Sequence, residues 1–473
     1  MTARSLSTRA ARAGGLPLAR AVVLALLAVP AAPASAQTIA WEPLPVLPFT
    51  EGHQVFAVDF LHGEGDDADD PAADSLVAVI RPGGVLLYNP SDAGGAAGEN
   101  GEVWGAWHPL CTNGLCSVET GVVTEAGSIV VGGLNRDISR STDRGRTWAH
   151  HVVELYPVPL FETSLPALRG PDGAPALVAG VSDDGTTALS DGDGAAGTWV
   201  QAGRGFGYPQ SFGEVPPSPA LPNGRLLMGV WNGASYSDDG GVTYTPSNAF
   251  GQARYIAWSF TFLRQEGHPY GGVAYAGLEN VGLYPAANAE VHRSDDGGRT
   301  WALAHRFTAE ETGQPTTNGA NVSRPILLAT PDGALWAGVG QNNGFSLPFR
   351  GGVMRSADGG ATWSRADAGF DGGDGRGYRM YQLVLARDGR LYAATDRGVW
   401  RTTGPAVAGE GGPSQAPEVG VSVRPNPAGG RVEVVVTLAE AGPVRVSVLD
   451  ALGREVAVVL DGESAAGERV AGV

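Results

Sequence analysis

One short pattern recurs along the middle of the chain and decides most of what the chain can fold into. S-x-D-x-G-x-T-[WY] appears as Ser141-Thr-Asp143-Arg-Gly145-Arg-Thr147-Trp148, as Ser237-Asp-Asp239-Gly-Gly241-Val-Thr243-Tyr244, as Ser294-Asp-Asp296-Gly-Gly298-Arg-Thr300-Trp301 and as Ser356-Ala-Asp358-Gly-Gly360-Ala-Thr362-Trp363. A degenerate fifth copy runs from Ser190 through Asp193 to Thr198 and Trp199. The aspartates follow each other at steps of 50, 46, 57 and 62 residues, the length of one four-stranded propeller blade and longer than most helical repeats. Chemically the pattern reads as a hairpin loop. Ser and Asp can bond the loop's own amides, Gly supplies a positive φ, and Thr-Trp starts the next strand with a ring to bury.

A second element, an apolar strand, a Gly-containing turn and another apolar strand, recurs at residues 55–87, 118–131, 165–181, 219–230, 256–278, 325–339 and 381–394. These units predict an all-β chain whose main part is a seven-bladed β-propeller. The last unit, ending in Gly398-Val399-Trp400-Arg401-Thr402, has three strands and no repeat after it. Residues 38–44 (TIAWEPL) read as the missing outer strand, with Trp41 in the place of the repeat's aromatic, so that the N-terminal segment closes the ring and removes two exposed sheet edges.

The chain has 71 Gly and 33 Pro in 473 residues, which suits many turns and short strands. It contains no lysine, which excludes a P-loop, a Schiff base or a pyridoxal site. A net charge of −17 argues against nucleic acid and against a polybasic membrane anchor. Residues 1–36 read as an export signal: Arg4, Arg9, Arg12 and Arg20 without an acid, an apolar stretch at 21–29 too short to span a bilayer, and Ala34-Ser35-Ala36 as the cleavage site. No other stretch is apolar enough to cross a membrane, so no transmembrane segment is expected in the mature chain. Cys111 and Cys116 are the only cysteines, and in an exported chain this close pair reads as a disulfide rather than half a metal site. No metal or other cofactor is expected; His150 and His151 are adjacent and point to opposite faces of a strand. The acidic run 64–74 has oxygen ligands for Ca²⁺ but reads better as a solvated loop, and Gly192-x-Gly194-x-x-Gly197 precedes a strand rather than a helix, against a dinucleotide site.

The repeat resembles the Asp-box, or bacterial neuraminidase repeat, of sialidases, sortilin-like receptors, xyloglucan-cleaving glycosidases and photosystem assembly factors. The resemblance spans about residues 39–405 and implies the propeller fold, with the Asp-boxes on the outside of the blades. Asp143, Trp148, Asp239, Tyr244, Asp296, Trp301, Asp358 and Trp363 are then structural. Residues 406–418 form a Gly/Pro/Ala/Ser linker. Residues 419–473 follow as short strands with tight turns, a small Ig-like sandwich by pattern. This tail resembles the type A C-terminal sorting domain of the type IX secretion system, through Pro425-Asn426-Pro427, Asp450-Ala-Leu-Gly453-Arg454 and Gly462 to Ala466-Gly467. The resemblance implies secretion, or display at the outer-membrane surface, through the type IX machinery. That family continues to a final Gly-Tyr strand, which places the domain here as incomplete.

Registering the units on their first strands puts Glu119, Glu162 and Glu214 on one arc of a channel mouth, Arg324 and Arg379 on the other, with Tyr255 and His53 between. Arg forks bind carboxylates and Glu accepts from hydroxyls, so such a mouth suits a polar ligand, a glycan or a protein. A sialidase-like exo-glycoside hydrolase is the alternative. It is weakened because Arg81-Pro82 and Ser323-Arg324-Pro325-Ile326 depart from the sialidase Arg-Ile-Pro signature. Catalytic residues are not assigned, and a binding or scaffold module is the first reading.

Overall fold

The computed structural model describes residues 39–44, 54–62, 70, 74–81, 84–88, 108–109, 118–133, 137–152, 167–169, 175–180, 186–204, 209–247, 255–280, 289–312, 322–341, 352–370 and 379–407, together with 23–27, 420–424, 433–438, 442–449, 455–464 and 467–472. Two compact units result, residues 38–412 and a second one made of 1–37 and 413–473. Cys111, Cys116, Glu162 and His53 lie outside the described residues. Apart from one helical turn, Ala309–Thr312, every regular element described is a β-strand.

In the larger unit the strands form five four-stranded antiparallel sheets and one of eight strands. The eight-stranded sheet is two four-stranded groups, Pro209–Val215 to Thr245–Pro246 and Tyr255–Arg264 to Ala302–Arg306, joined by a single parallel pair, Gly233 with Ile256. In six of these groups the strands follow chain order, because each hairpin returns directly beside its predecessor. The group that starts with Met380–Leu385 takes its fourth strand from the beginning of the chain: Trp41, Glu42 and Pro43 pair antiparallel with Thr402, Arg401 and Trp400.

The four full repeat loops bond themselves in the same way. In the copy that starts at Ser356, the Ser356 hydroxyl donates to Asp358 at 2.8 Å and accepts from the Gly360 amide at 2.9 Å, and Asp358 accepts from the Thr362 amide at 2.9 Å and the Thr362 hydroxyl at 2.6 Å. Asp143, Asp239 and Asp296 hold Thr147, Thr243 and Thr300 alike. These bonds hold Asp143 and Asp358 down at about 2, the Thr hydroxyl contributing most. The degenerate copy is built differently from the sequence alignment. Gly194 donates to Ser190 as the box glycine should, so Gly192 stands where the aspartate would, and Asp193 takes the left-handed position (φ 56°) that Arg144 (φ 60°) and Gly359 fill in other copies. Asp193 is therefore free to face the preceding sheet, where it accepts from Arg140 at 2.6 Å and from the Ser128 hydroxyl.

The aromatic that ends each repeat packs back onto the preceding sheet. Trp148 lies against Val79 and Val85, Trp199 against Val130 and Ile138, Tyr244 against Val178 and Leu189, Trp301 against Val215 and Leu227, and Trp363 against Val291 and Phe307. Trp41, at 3% exposure, does the same with Trp336 and Val353. Large rings with one polar atom suit this place, since the Trp148 and Trp363 indole N–H groups still reach their loops' Gly145 and Gly360 carbonyls at 3.1 Å. Near the axis, glycines let neighbouring sheets approach: a Cβ on Gly277 would stand 2.1 Å from the Pro325 carbonyl oxygen.

In the smaller unit Gly420–Arg424, Glu433–Leu438 and Gly467–Gly472 make one three-stranded sheet, and Gly442–Leu449 and Glu455–Ser464 make another with Val23–Leu27, which pairs antiparallel with residues 445–449.

Candidate functional site: a channel mouth ringed by bulged residues

A cavity of about 410 Å³ is lined by residues of six first strands: Gln54–Leu61, Val118–Val123, Pro209–Val215, Tyr255–Arg264, Val322–Ala329 and Met380–Leu385. The inner edges of these strands have amides and carbonyls that no further strand can pair. Side chains of neighbouring first strands supply the partners. Asp59 accepts from the Val123 amide at 2.7 Å, Ser211 donates to the Ala257 carbonyl at 2.9 Å, Ser259 donates to the Pro325 carbonyl at 2.7 Å, Thr261 accepts from the Ala329 amide at 2.7 Å, and Gln382 accepts from the Val58 amide at 2.8 Å.

In all six strands the register against the second strand slips near the same end: between Val55 and Ala57, Val118 and Thr120, Pro209 and Ser211, Ala257 and Ser259, Ser323 and Ile326, and Met380 and Gln382. A β-bulge of this kind re-aims the extra residue. The residues at the slips are Phe56, Glu119, Gln210, Trp258, Arg324 with Pro325, and Tyr381; Phe56, Gln210, Trp258, Arg324 and Tyr381 line the cavity. Phe56 stacks on Tyr381 with centroids 4.2 Å apart, and the Arg324 guanidinium lies 3.8 Å from the Trp258 ring centroid. Arg324 achieves this with φ at +66°, a conformation that costs a side-chain-bearing residue about 1–2 kcal/mol.

The sequence-derived mouth is partly redrawn by this geometry. Arg324 stands at its bulge and lines the cavity. Glu119 stands at the bulge of its own strand. Arg379 precedes the bulged Tyr381 by two residues; its amide donates to Asp396 at 2.9 Å and its guanidinium comes within 3.5 Å of the Tyr381 hydroxyl. Glu214 is elsewhere. It pairs with Leu226 near the far end of Pro209–Val215, because the connection to the next strand runs over 216–224 where the matching connections are 124–128 and 330–334; Gln210 holds the mouth position instead. Tyr255 points away from the cavity lining into its own sheet, where Asn280 donates to its hydroxyl at 3.1 Å and His292 meets its ring edge-on at 5.3 Å. Glu290 centres that buried cluster. Burial would raise its carboxyl, but bonds from His292 (2.8 Å), Asn280 (3.1 Å) and Arg306 (2.8 Å) leave it below the ordinary range.

Within the cavity Asp59 is the one carboxylate among the described lining residues. Burial pushes it above the usual range, against the Val123 and Phe60 amides and the charge of His62. Burial likewise raises the Tyr381 hydroxyl, although Arg379 and Arg324 pull it down, and that hydroxyl donates to Gln54 at 3.0 Å. Of the acidic run 64–74, Asp74 is buried and ion-paired with Arg387, with His62 at 3.2 Å. His150 meets Ser139 at 2.8 Å, whereas His151 accepts from the Trp199 indole at 3.1 Å. Among the described residues no three His, Cys, Asp or Glu side chains gather as a metal site, and no helix is long and apolar enough to cross a membrane.

No family model matches the sequence, and no curated protein does. Solved structures do. The GH74 xyloglucanase from Xanthomonas campestris superposes with a TM-score of 0.51 at 15% identity, covering 84% of this chain and 59% of that one, so the chain spans about three-fifths of that enzyme's length. YCF48 bound to D1 peptide gives 0.49 at 14% identity over 78% of this chain and 96% of that one. YCF48 from Cyanidioschyzon merolae gives 0.48 at 18% identity over 77% and 98%. Antiparallel four-stranded groups around one channel, together with the first of these likenesses, define the chain as a β-propeller.

Proposed function

We propose that the chain is an exported, seven-bladed Asp-box propeller that acts as a binding or scaffold module, taking a polar ligand, a glycan or a protein, at the channel mouth. Seven hydrophobic clusters among the described residues support the count: each joins two neighbouring groups of four strands, the last packing Val55 and Leu76 against Tyr392 and Val399. Export would remove residues 1–36, and the tail resembling a sorting domain would direct the mature chain through the type IX machinery to the cell surface or beyond, with Cys111 and Cys116 bonded on the way.

The observation that carries the binding reading is the mouth itself, where Arg324 is held in a costly backbone conformation over the Trp258 ring, beside Tyr381 and Arg379. Strain of that kind persists where the surroundings impose it and is characteristic of ligand sites. Aromatic faces accept the C–H side of a sugar or a planar peptide group, and guanidinium forks accept carboxylate or hydroxyl oxygens. Glycoside cleavage needs a second carboxyl group about 5–10 Å from the first, and a Tyr nucleophile needs an activating base; Asp59 as the one carboxylate among the described lining residues, and a Tyr381 pushed upward, support binding over hydrolysis.

Glycan and acidic-peptide arrays probed with the intact protein and with the Arg324→Ala, Arg379→Ala variant test this. The variant should lose the wild-type contacts, each charge-assisted bond being worth about 1.5–3 kcal/mol. Unchanged binding removes the mouth site. Release of sugar by the wild-type protein promotes the hydrolase instead.

A further inference from the structure

Behind the mouth stands a buried carboxylate that the binding reading does not use. Glu279, 3% exposed on Gly272–Asn280, pairs with Ile256 and Ala289 in the sheet and accepts from the Trp258 indole Nε1 at 2.9 Å. Over the ring of that indole lies the Arg324 guanidinium, 3.8 Å from its centroid. Carboxylate, indole and guanidinium thus form a chain of contacts that runs from the interior of one sheet to the cavity wall on the next. We infer that Glu279 is the positioning residue of the mouth: it fixes the plane of Trp258 and enriches its π-face, and thereby holds the Arg324 guanidinium over that ring at the cavity wall.

An indole whose Nε1–H donates to a carboxylate oxygen in the interior gives up that bond if its ring turns, so the platform under Arg324 holds one orientation. An acceptor at the indole N–H also increases the electron density that the guanidinium meets, strengthening a cation–π contact in the same direction. Arg324 needs such support. Its positive φ is opposed by local sterics, and the bulge that carries it is pinned from the same neighbouring sheet, by Ser259 on the Pro325 carbonyl. Sheet and stack therefore act together, the first setting the backbone and the second the side chain.

This inference rests on the mouth reading for its purpose but not for its test. Phenylglyoxal, which modifies guanidinium groups, is applied to the full chain, and the rate at each arginine is followed by peptide mass spectrometry. In the wild type Arg324 should react slowly. In Glu279→Leu it should react about fivefold faster, the factor that a part-exposed cation–π contact is worth, while Arg379 stays within about twofold as the internal reference. Glu279→Gln, whose amide oxygen still accepts from the indole, should restore most of the protection. Should Glu279→Leu fail to fold, Trp258→Phe keeps a ring under Arg324 without the N–H donor and should give an intermediate rate. Equal Arg324 reactivity in wild type, Glu279→Leu and Trp258→Phe overturns the inference. Loss of Arg324 protection with no effect of the double arginine variant on any array contact would leave the stack standing and remove the ligand site.

Discussion

Trp41 donates its indole N–H to the carbonyl oxygen of Ala366 across 2.8 Å, joining residues 325 apart in sequence. Its own amide donates to Ala368 at 2.7 Å, and its ring meets Phe370 edge-on at 5.4 Å. A three-residue strand, Trp41–Pro43, could not hold by its ladder bonds alone. The buried ring is what fixes it, between the group ending in Ser364–Arg365 and the group it completes. Trp41→Ala should therefore destabilise the larger unit by about 3–5 kcal/mol, the usual cost of truncating a buried Trp. Chemical denaturation measures this, and a loss below about 1 kcal/mol would mean that the ring is not closed through this residue.

Which parts of this were readable beforehand follows from how far apart the interacting residues are. The repeat loops were, because every bond from Ser356, Asp358 and Thr362 stays within a few residues and demands those side chains at that spacing. Trp41 was, because a group lacking its outer strand and a spare strand at the other end of the chain answer each other. The bulges were not. Whether Trp258 or its neighbour is the extra residue depends on pairing with Gly277 and Leu278, which a linear pattern does not record. For a related reason, counting back from a turn glycine assumes connections of equal length and so puts Glu214 at the mouth, while Trp258, Tyr381, Phe56 and Gln210 read in sequence as ordinary strand residues. An aromatic near the start of three inner strands, Phe56, Trp258 and Tyr381, is the one available hint.

The repeat aspartates make stability fall in acid. Asp143 and Asp358 are held at about 2 in the folded chain, below the ordinary 3.8. A carboxyl depressed by folding contributes stability that is present above its unfolded pKa and is lost as pH falls through the folded value. Titration of these two residues should thus leave the melting temperature flat between about pH 7 and 5 and lower it between about pH 4 and 2. Asp358→Asn should melt lower than wild type at neutral pH and show a shallower decline over that interval. Parallel curves for the two proteins would count against the loop bonds as the cause.

Gly277 links the fold to the mouth. A Cβ there would lie 2.1 Å from the Pro325 oxygen and 2.5 Å from the Ser259 hydroxyl, the two atoms that bond to pin the Arg324 bulge. Backbone is on one side of that contact, so the neighbour cannot simply rotate away. Gly277→Ala should cost about 1–3 kcal/mol as an overpacking change and should also raise the phenylglyoxal reactivity of Arg324. Gly333→Ala serves as the comparison: φ is +87° there and nothing lies within 4 Å of the new carbon, so it should destabilise through the backbone while leaving Arg324 unaffected. Identical effects of the two variants on Arg324 would separate the bulge from Gly277.

Arg324 itself separates strain from contact. Replacement by Ala removes the guanidinium and its stack on Trp258 but keeps a Cβ at φ +66°. Replacement by Gly removes the same contact and the steric penalty together. The two variants should bind equally poorly, since neither offers a fork at the mouth. They should differ in stability, with Arg324→Gly the more stable by about 1 kcal/mol, the left-handed penalty partly offset by the greater freedom of glycine in the unfolded chain. That order is the reverse of the usual one in a strand, where glycine is worse than alanine by about 0.5–1 kcal/mol. Denaturant midpoints of the two proteins decide it. If Arg324→Ala is as stable as Arg324→Gly or more so, the bulge does not hold its residue against a steric cost, and the argument from backbone strain to a ligand site loses its support even where the array contacts depend on Arg324.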